Sequence, residues 1–145
     1  MAAPVTVVTT LLDGRPYGTT VSAFSSLSMD PPLVLVSLDN TSDLLAAVRQ
    51  TRRMGINVLQ KDQCQLALNF ARKGESKFAD VGWSDAQASP RLLDVKAFMC
   101  CEVVDIVAGG DHSILLGAVE AGEVLPGEPL TYFERSFGTH LATAV

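Results

Sequence analysis

Cysteine, histidine and aromatic residues are scarce in this chain of 145 residues. It has three cysteines, two histidines and one tryptophan, and aromatic residues make up 6% of the sequence. The cysteine count is odd and the Cys-x-x-Cys spacing is absent, which argues against a disulfide framework and favours a reducing compartment. Cys100 and Cys101 are adjacent, so in a strand they point to opposite faces and cannot easily chelate one metal ion.

Several catalytic and nucleotide-binding motifs are also absent. The chain has no Gly-x-Ser-x-Gly elbow, no His-Glu-x-x-His zinc motif, no Walker loop and no Gly-x-Gly-x-x-Gly that opens a helix. A Ser-His-Asp hydrolase would have to recruit His112 or His140, and neither is accompanied by such an elbow. Any nucleotide cofactor must therefore be held by something other than a Rossmann unit.

Long apolar runs and net positive charge are lacking as well. No uninterrupted apolar run approaches the roughly 18 residues of a membrane span, and the start of the chain does not have the pattern of a secretory signal. The formal net charge of -5 and the few aromatic residues argue against an oligonucleotide-binding barrel, which needs basic surface and rings for base stacking. We predict a soluble cytoplasmic protein that binds neither membranes nor nucleic acid.

The basic residues that are present concentrate in one segment, residues 49–77. This segment holds seven of the 11 Lys and Arg residues against Asp62 and Glu75, and so carries +5. The rest of the chain has four basic and 14 acidic residues and carries -10. A local basic region in an acidic protein fits a small phosphorylated ligand, and a solvated helix face explains it equally well.

The apolar pattern predicts a single domain, residues 1–145, that consists mainly of strands. β-Branched and apolar stretches predict strands at residues 4–10, 17–28, 33–38, 54–59, 97–107, 113–124 and 130–133. Asp13-Gly14-Arg15-Pro16 predicts a turn that joins the first two strands as a hairpin. Cap candidates at 40–43 and helical spacing predict one helix ending near residue 50, and a second helix covers 62–71. Residues 74–90 show no clear period. We predict a closed antiparallel β-barrel with two or three accessory helices.

Polar groups at three places could hold a flavin, which needs hydrogen bonds along its ring edge, apolar contact with its ring face and donors for its ribityl and phosphate groups. Thr19, Thr20 and Ser22 offer edge and ribityl contacts. A strand-to-helix junction, where helix amides favour a phosphate, offers Ser37, Asp39, Asn40 and Ser42. Arg72 and Lys73 add positive charge. Each group, taken alone, is better explained as an ordinary turn, cap or solvated face; the three together, on a predicted barrel, favour a flavin site.

Blocks along nearly the whole chain resemble the short-chain flavin reductases, the FMN-binding split-barrel family. The first block runs from residue 5 to 38 and includes Gly18-Thr19-Thr20-Val21-Ser22 and Asp30-Pro31-Pro32. The others are Ile56-Asn57-Val58-Leu59, Asp62-Gln63, Phe70-Ala71, Gly74 with Lys77-Phe78, Gly110-Asp111-His112 with Gly117, and residues 129–137.

The resemblance implies a split-barrel NAD(P)H:flavin oxidoreductase. In such an enzyme NADH or NADPH delivers hydride from nicotinamide C4 to N5 of FAD or FMN. The resemblance further implies a homodimer whose diffusible reduced flavin supplies a separate flavin-dependent monooxygenase or halogenase. A flavin-binding split-barrel module without turnover is the alternative.

The resemblance also assigns site residues. The flavin side comprises Thr20, Val21, Ser22, Ser37, Asp39, Asn40, Ser42, Phe70, Ala71, Arg72 and Lys73, next to Thr19. On the nicotinamide side it implies His112 as the catalytic residue, and Tyr132, Arg135 and Ser136 as residues that close the pocket.

Overall fold

The structure, a computed structural model, describes residues 1–74 and 76–145. Glu75, one of the two acidic residues counted in the basic segment, lies outside the described residues. The elements are β1 (Ala3–Pro4), β2 (Thr6–Leu12), β3 (Arg15–Val21), β4 (Phe24–Met29), β5 (Pro32–Asp39), α1 (Asp43–Thr51), β6 (Arg53–Val58), α2 (Cys64–Ala71), β7 (Trp83–Asp85), β8 (Pro90–Leu92), β9 (Ala97–Gly109), β10 (His112–Val124), β11 (Leu130–Phe133) and β12 (Ser136–Thr139). The described chain is therefore mainly β with two helices, in agreement with the sequence prediction.

A seven-stranded antiparallel sheet forms the centre of the fold. Its strand order is β3-β2-β6-β9-β10-β5-β4, so β3 and β4 are its edges. Smaller sheets, β1-β11-β12 and β7-β8, lie against it. The β2–β3 hairpin turns at Asp13 and Gly14, both with positive φ, as the predicted Asp-Gly turn requires.

Both faces of the central sheet are buried. Val8 belongs to a core with α1, whereas its neighbour Val7 belongs to a second core with α2, β8 and β11. The predicted divergence of the cysteines is confirmed by the same alternation, since Cys101 lies in the first core and Cys100 in the second. Burial raises the pKa of the Cys101 thiol to about 12.

The two edges of the sheet are joined by a connection of only two residues. Ser22 and Ala23 alone separate β3 from β4, yet these strands are first and last in the sheet order. A flat sheet would place them about 29 Å apart, whereas the linking steps reach at most about 11 Å. The sheet therefore curls enough to bring the end of β3 close to the start of β4. Hydrogen-bonded closure of the barrel stays a prediction, because the described ladder ends at β3 and β4.

Three predicted segments differ from the observed elements. The strand predicted at 17–28 is two strands, because the chain passes from one edge of the sheet to the other at Ser22–Ala23. The aperiodic segment 74–90 contains β7 and the start of β8. The strand at 130–133 is followed by β12, whose pairing partner is β11 itself. Among the described residues, neither helix has the length and apolar character that crossing a membrane requires.

Candidate functional site

An open cleft of about 410 Å³ lies between β3, the β5–α1 junction and the segment that follows α2. Its volume is in the range of small-molecule sites. The lining residues are Arg15, Pro16, Tyr17, Gly18, Thr19, Asp39, Thr41, Ser42, Asp43, Leu44, Ala71, Arg72, Lys73, Gly74, Lys77 and Phe78. Six residues predicted for the flavin side thus come together here: Thr19, Asp39, Ser42, Ala71, Arg72 and Lys73.

Gly18 sets the distance between β3 and the aromatic wall of the cleft. A Cβ at this position would lie 3.0 Å from Phe70 Cε1 and 3.1 Å from Phe78 Cζ. Phe70 is fully buried and its ring meets that of Phe78 edge to face at 4.9 Å. The absence of a side chain therefore lets both rings pack directly on β3, where Phe78 lines the cleft.

The hydroxyl groups of β3 also fix the end of α2. Thr20 Oγ1 donates to the Ala67 carbonyl at 2.6 Å, and Thr19 Oγ1 donates to the Phe70 carbonyl at 3.4 Å. Val21 is buried in the core and Ser22 is exposed beyond the strand. Of these four predicted residues, the cleft is lined by Thr19 alone.

The β5–α1 junction is ordered by its own side chains. Asp39 Oδ1 accepts hydrogen bonds from Thr41 N at 2.8 Å and Thr41 Oγ1 at 2.7 Å. These bonds hold the pKa of Asp39 below its ordinary value. Burial opposes them to a lesser degree, and the charges of His112 and Lys73 add still smaller effects in the lowering direction. Ser42 is the N-cap of α1 and accepts from Leu45 N at 3.4 Å, as its place in the sequence predicts.

Asn40 connects this junction to the turn that carries His112. Its backbone N donates to the Asp111 carbonyl at 3.0 Å, and its Nδ2 donates to the Gly110 carbonyl at 3.2 Å. Its Oδ1 accepts from Ser113 Oγ at 2.6 Å. The observed role of Asn40 is therefore to hold the β9–β10 turn against the cleft rim. Ser37 is half-buried in β5, and its N donates to the Ala23 carbonyl.

His112 lies at the rim of the cleft. It is the first residue of β10 and pairs directly with Asp39 of β5. Its Nδ1 lies 2.8 Å from Asp111 Oδ1, and 42% of its side chain is exposed. A ligand in the cleft would therefore have His112 on its Asp39 side, with the ring accessible.

Cations dominate the other side of the cleft. Arg72 donates to Asn69 Oδ1 at 2.5 Å, next to Lys73. Lys77 Nζ donates to the Gly18 carbonyl at 3.0 Å. Burial lowers the pKa of Lys77, with Asp43 opposing and Arg72 reinforcing that shift. Sequence reasoning assigned no site role to Lys77, although the Lys77-Phe78 pair was already among the matching blocks.

The residues predicted to close the nicotinamide pocket lie elsewhere in the described chain. Tyr132 is in β11, and its ring contacts Phe137 at 5.2 Å between centroids. Arg135 occupies the turn before β12 with φ 63, and Ser136 begins that strand. All three are exposed and do not line the cleft. Their role in nicotinamide binding stays a prediction.

The residues of the cleft fit a phosphorylated flavin. Tyr17, Leu44 and Phe78 offer apolar surface for a flat ring, and Thr19, Thr41 and Ser42 offer hydroxyl groups. The described lining includes four cationic side chains (Arg15, Arg72, Lys73 and Lys77) against Asp39 and Asp43. Among the described residues, His, Cys, Asp and Glu form no group suited to a metal ion. The geometry thus favours binding and orienting a charged organic ligand.

Comparisons with known proteins agree with a flavin-binding role for the cleft. The profile of the flavin reductase like domain matches residues 1–140. The reductase component of a 4-nitrophenol 4-monooxygenase/4-nitrocatechol 2-monooxygenase from Rhodococcus opacus is 44% identical over 137 residues, which cover 94% of this chain and 74% of that protein. A flavin reductase (NADH) from Kitasatospora aureofaciens is 40% identical over 139 residues, covering 92% of this chain and 73% of its counterpart.

The similarity also holds for the three-dimensional fold, as comparison with a solved structure shows. The NADH:FAD oxidoreductase of Streptomyces globisporus, in complex with NAD and FAD fragments, superposes with a TM-score of 0.93 at 27% identity. The superposition covers 100% of this chain and 89% of that one.

Proposed function

This chain belongs to the flavin reductase like domain family, and from that premise we propose that it transfers hydride from a reduced nicotinamide dinucleotide to a flavin bound in its cleft. It is an NAD(P)H-dependent flavin reductase that uses FAD or FMN. The observation that carries the proposal is the cleft itself, in which apolar surface, hydroxyl groups and four cationic side chains surround one cavity.

The residues of the chain divide into four roles. Arg72 and Lys73 bind the flavin phosphate together with the N-terminal turn of α1, whose cap is Ser42. Thr19 contacts the ring edge inside the cleft, and the backbone of Thr20, Val21 and Ser22, together with Ser37, contacts the part of the flavin that extends past the cleft. Asp39 and Ala71 border the ring and ribityl chain, and Asn40 and Phe70 hold the walls in position. The bound flavin supplies the hydride acceptor, and the protein supplies binding and orientation.

His112 is the residue that we assign to the nicotinamide side. Its ring lies at the open rim beside Asp39 rather than inside the cavity. That position suits a residue that orients a second ligand above an already bound flavin. Because Tyr132, Arg135 and Ser136 lie away from the cleft of their own chain, we propose that they act in a homodimer, with the curled sheet closed into a split barrel in each subunit.

The reduced flavin is proposed to leave the cleft for a separate flavin-dependent oxygenase or halogenase. The Rhodococcus opacus relative is named as the reductase component of a monooxygenase. An open cleft allows such release without a permanent complex.

The test is oxidation of NADH and of NADPH, followed by absorbance, with FAD, FMN, riboflavin or no added flavin. Turnover that requires added flavin supports the proposal. Flavin fluorescence quenching without oxidation of either nucleotide identifies a binding module instead, and absence of both binding and turnover contradicts the assignment of the cleft.

A further inference from the structure

A second depression continues from the flavin cleft along helix α1. This α1 groove has a volume of about 230 Å³ and shares Arg15, Tyr17 and Asp43 with the cleft. It runs past Ala46 as far as Gln50, about 10 Å along the helix from Asp43.

The residues that line each cavity show which end of a bound flavin the α1 groove adjoins. His112 and Asp39 mark the end at which we placed the nicotinamide. Arg72 and Lys73 line the cleft but not the α1 groove, whereas Arg15 and Tyr17, at the start of β3, line both cavities. About 13 Å of strand separates Thr19 from Arg15. The α1 groove therefore begins where the phosphate of a bound flavin would end.

The chemistry of the α1 groove suits a nucleotide. Leu12 and Ala46 give it an apolar floor on which a flat base can lie. The Gln50 amide can both donate to and accept from a base edge, and the Asp43 carboxylate can accept from ribose hydroxyls.

Arg15 stands at the entrance to the α1 groove. Its guanidinium lies over the Tyr17 ring, 4.6 Å from the centroid. This stacking presents a flat cation at the boundary between the two cavities. A planar guanidinium matches the geometry of a phosphate oxygen pair, as a second phosphate at that boundary would require.

We propose that the α1 groove binds the adenosine monophosphate half of FAD, so that this reductase binds FAD more tightly than FMN. The proposal rests on the flavin reductase function, because it takes the flavin phosphate to lie at Arg72 and Lys73. FMN ends at that phosphate and leaves the α1 groove empty, whereas FAD continues into it.

The test compares dissociation constants of FAD, FMN and riboflavin by fluorescence quenching, with NADH oxidation measured in parallel. For the unchanged protein we expect FAD to bind about tenfold or more tightly than FMN. Added 5′-AMP should weaken the binding of FAD and leave that of FMN unchanged. Equal Kd values for FAD and FMN would overturn the proposal while leaving the reductase function intact; loss of all flavin binding would overturn both.

Two matched variants locate the effect. Ala46→Trp fills the α1 groove and should abolish the preference for FAD without changing the Kd of FMN. Gln65→Trp places the same side chain on an exposed position of α2 outside both cavities and should preserve the preference. If Ala46→Trp leaves the FAD preference in place, the nucleotide lies elsewhere and the proposal is wrong. The AMP competition on the unchanged chain decides the question even if a variant folds poorly.

Discussion

His112 faces Asp39 directly across the antiparallel pair of β10 and β5. Residues paired in this way have Cβ atoms about 5 Å apart on one face of the sheet. Because Asp39 lines the cleft, its partner His112 lies beside the cleft, at the place where we propose that the nicotinamide reaches the bound flavin.

Replacing His112 should therefore affect the nicotinamide more than the flavin. For His112→Ala we expect kcat/KM for NADH to fall about tenfold or more, the usual cost of one contact to a charged or polar substrate group. The flavin Kd should stay unchanged. His140→Ala removes the other histidine, exposed in the C-terminal tail, and should behave as the unchanged protein. Equal kinetics for the two variants would remove His112 from the site.

Arg72 should distinguish phosphorylated from unphosphorylated flavins. Its guanidinium donates to Asn69 Oδ1 at the cleft wall, so it is held where a phosphate can approach. We expect Arg72→Ala to raise the Kd of FMN and of FAD about tenfold, and to leave that of riboflavin unchanged. Arg91→Ala serves as control, because Arg91 pairs with Glu123 outside the cleft. An equal loss of riboflavin affinity would mean that Arg72 shapes the cleft rather than binding the phosphate.

Gly18 should not tolerate a side chain. The added methyl group of Gly18→Ala would press on the rings of Phe70 and Phe78, and the buried Phe70 ring has little room to move. We expect a loss of about 1–3 kcal/mol in the free energy of unfolding, measured by chemical denaturation, together with weaker flavin binding. Gly138→Ala is the matched control in β12. Its added Cβ would meet Thr131 Oγ1 at an ordinary 3.6 Å, so its stability should change by about 0.5 kcal/mol or less.

Local sequence patterns predicted those parts of the fold that depend on neighbours in the chain. The Asp13-Gly14 turn and the Ser42 cap each follow from a few adjacent residues. Cys100 and Cys101 diverge because the period of a strand is two residues.

Contacts distant in sequence account for what local patterns could not predict. β8 is fixed by the buried Asn57 side chain, which donates to the Pro90 carbonyl and accepts from Leu92 N. The site role of Lys77 depends on the Gly18 carbonyl, 59 positions away in sequence. Neither interaction leaves a periodic pattern in its own segment. Packing also decides which of the residues predicted for the flavin side line the cleft. Thr19 lines it, whereas the Thr20 hydroxyl donates to a carbonyl of α2.

The carboxylate of Asp39 should make the stability of the protein depend on acid pH. Hydrogen bonds from Thr41 lower the pKa of Asp39 below its ordinary value of 3.8. Between the folded and unfolded pKa values the unfolded chain binds more protons, so stability rises with pH there. The contribution of Asp39 is therefore complete above the unfolded pKa and is lost as pH falls through the folded one. Asp39→Asn keeps the shape but removes the charge, and should be less stable than the unchanged protein at neutral pH.

This difference in the free energy of unfolding between the unchanged protein and Asp39→Asn should shrink as the pH falls below 3.8, in denaturation experiments repeated across the acid range. Thr41→Ala provides a graded control, because it removes the donor hydroxyl and leaves the backbone N–H bond in place. We expect it to show a smaller version of the same acid-dependent loss. A difference for Asp39→Asn that stays constant down to about pH 2 would show that the Thr41 bonds stabilise the turn through its shape rather than through the ionised carboxylate.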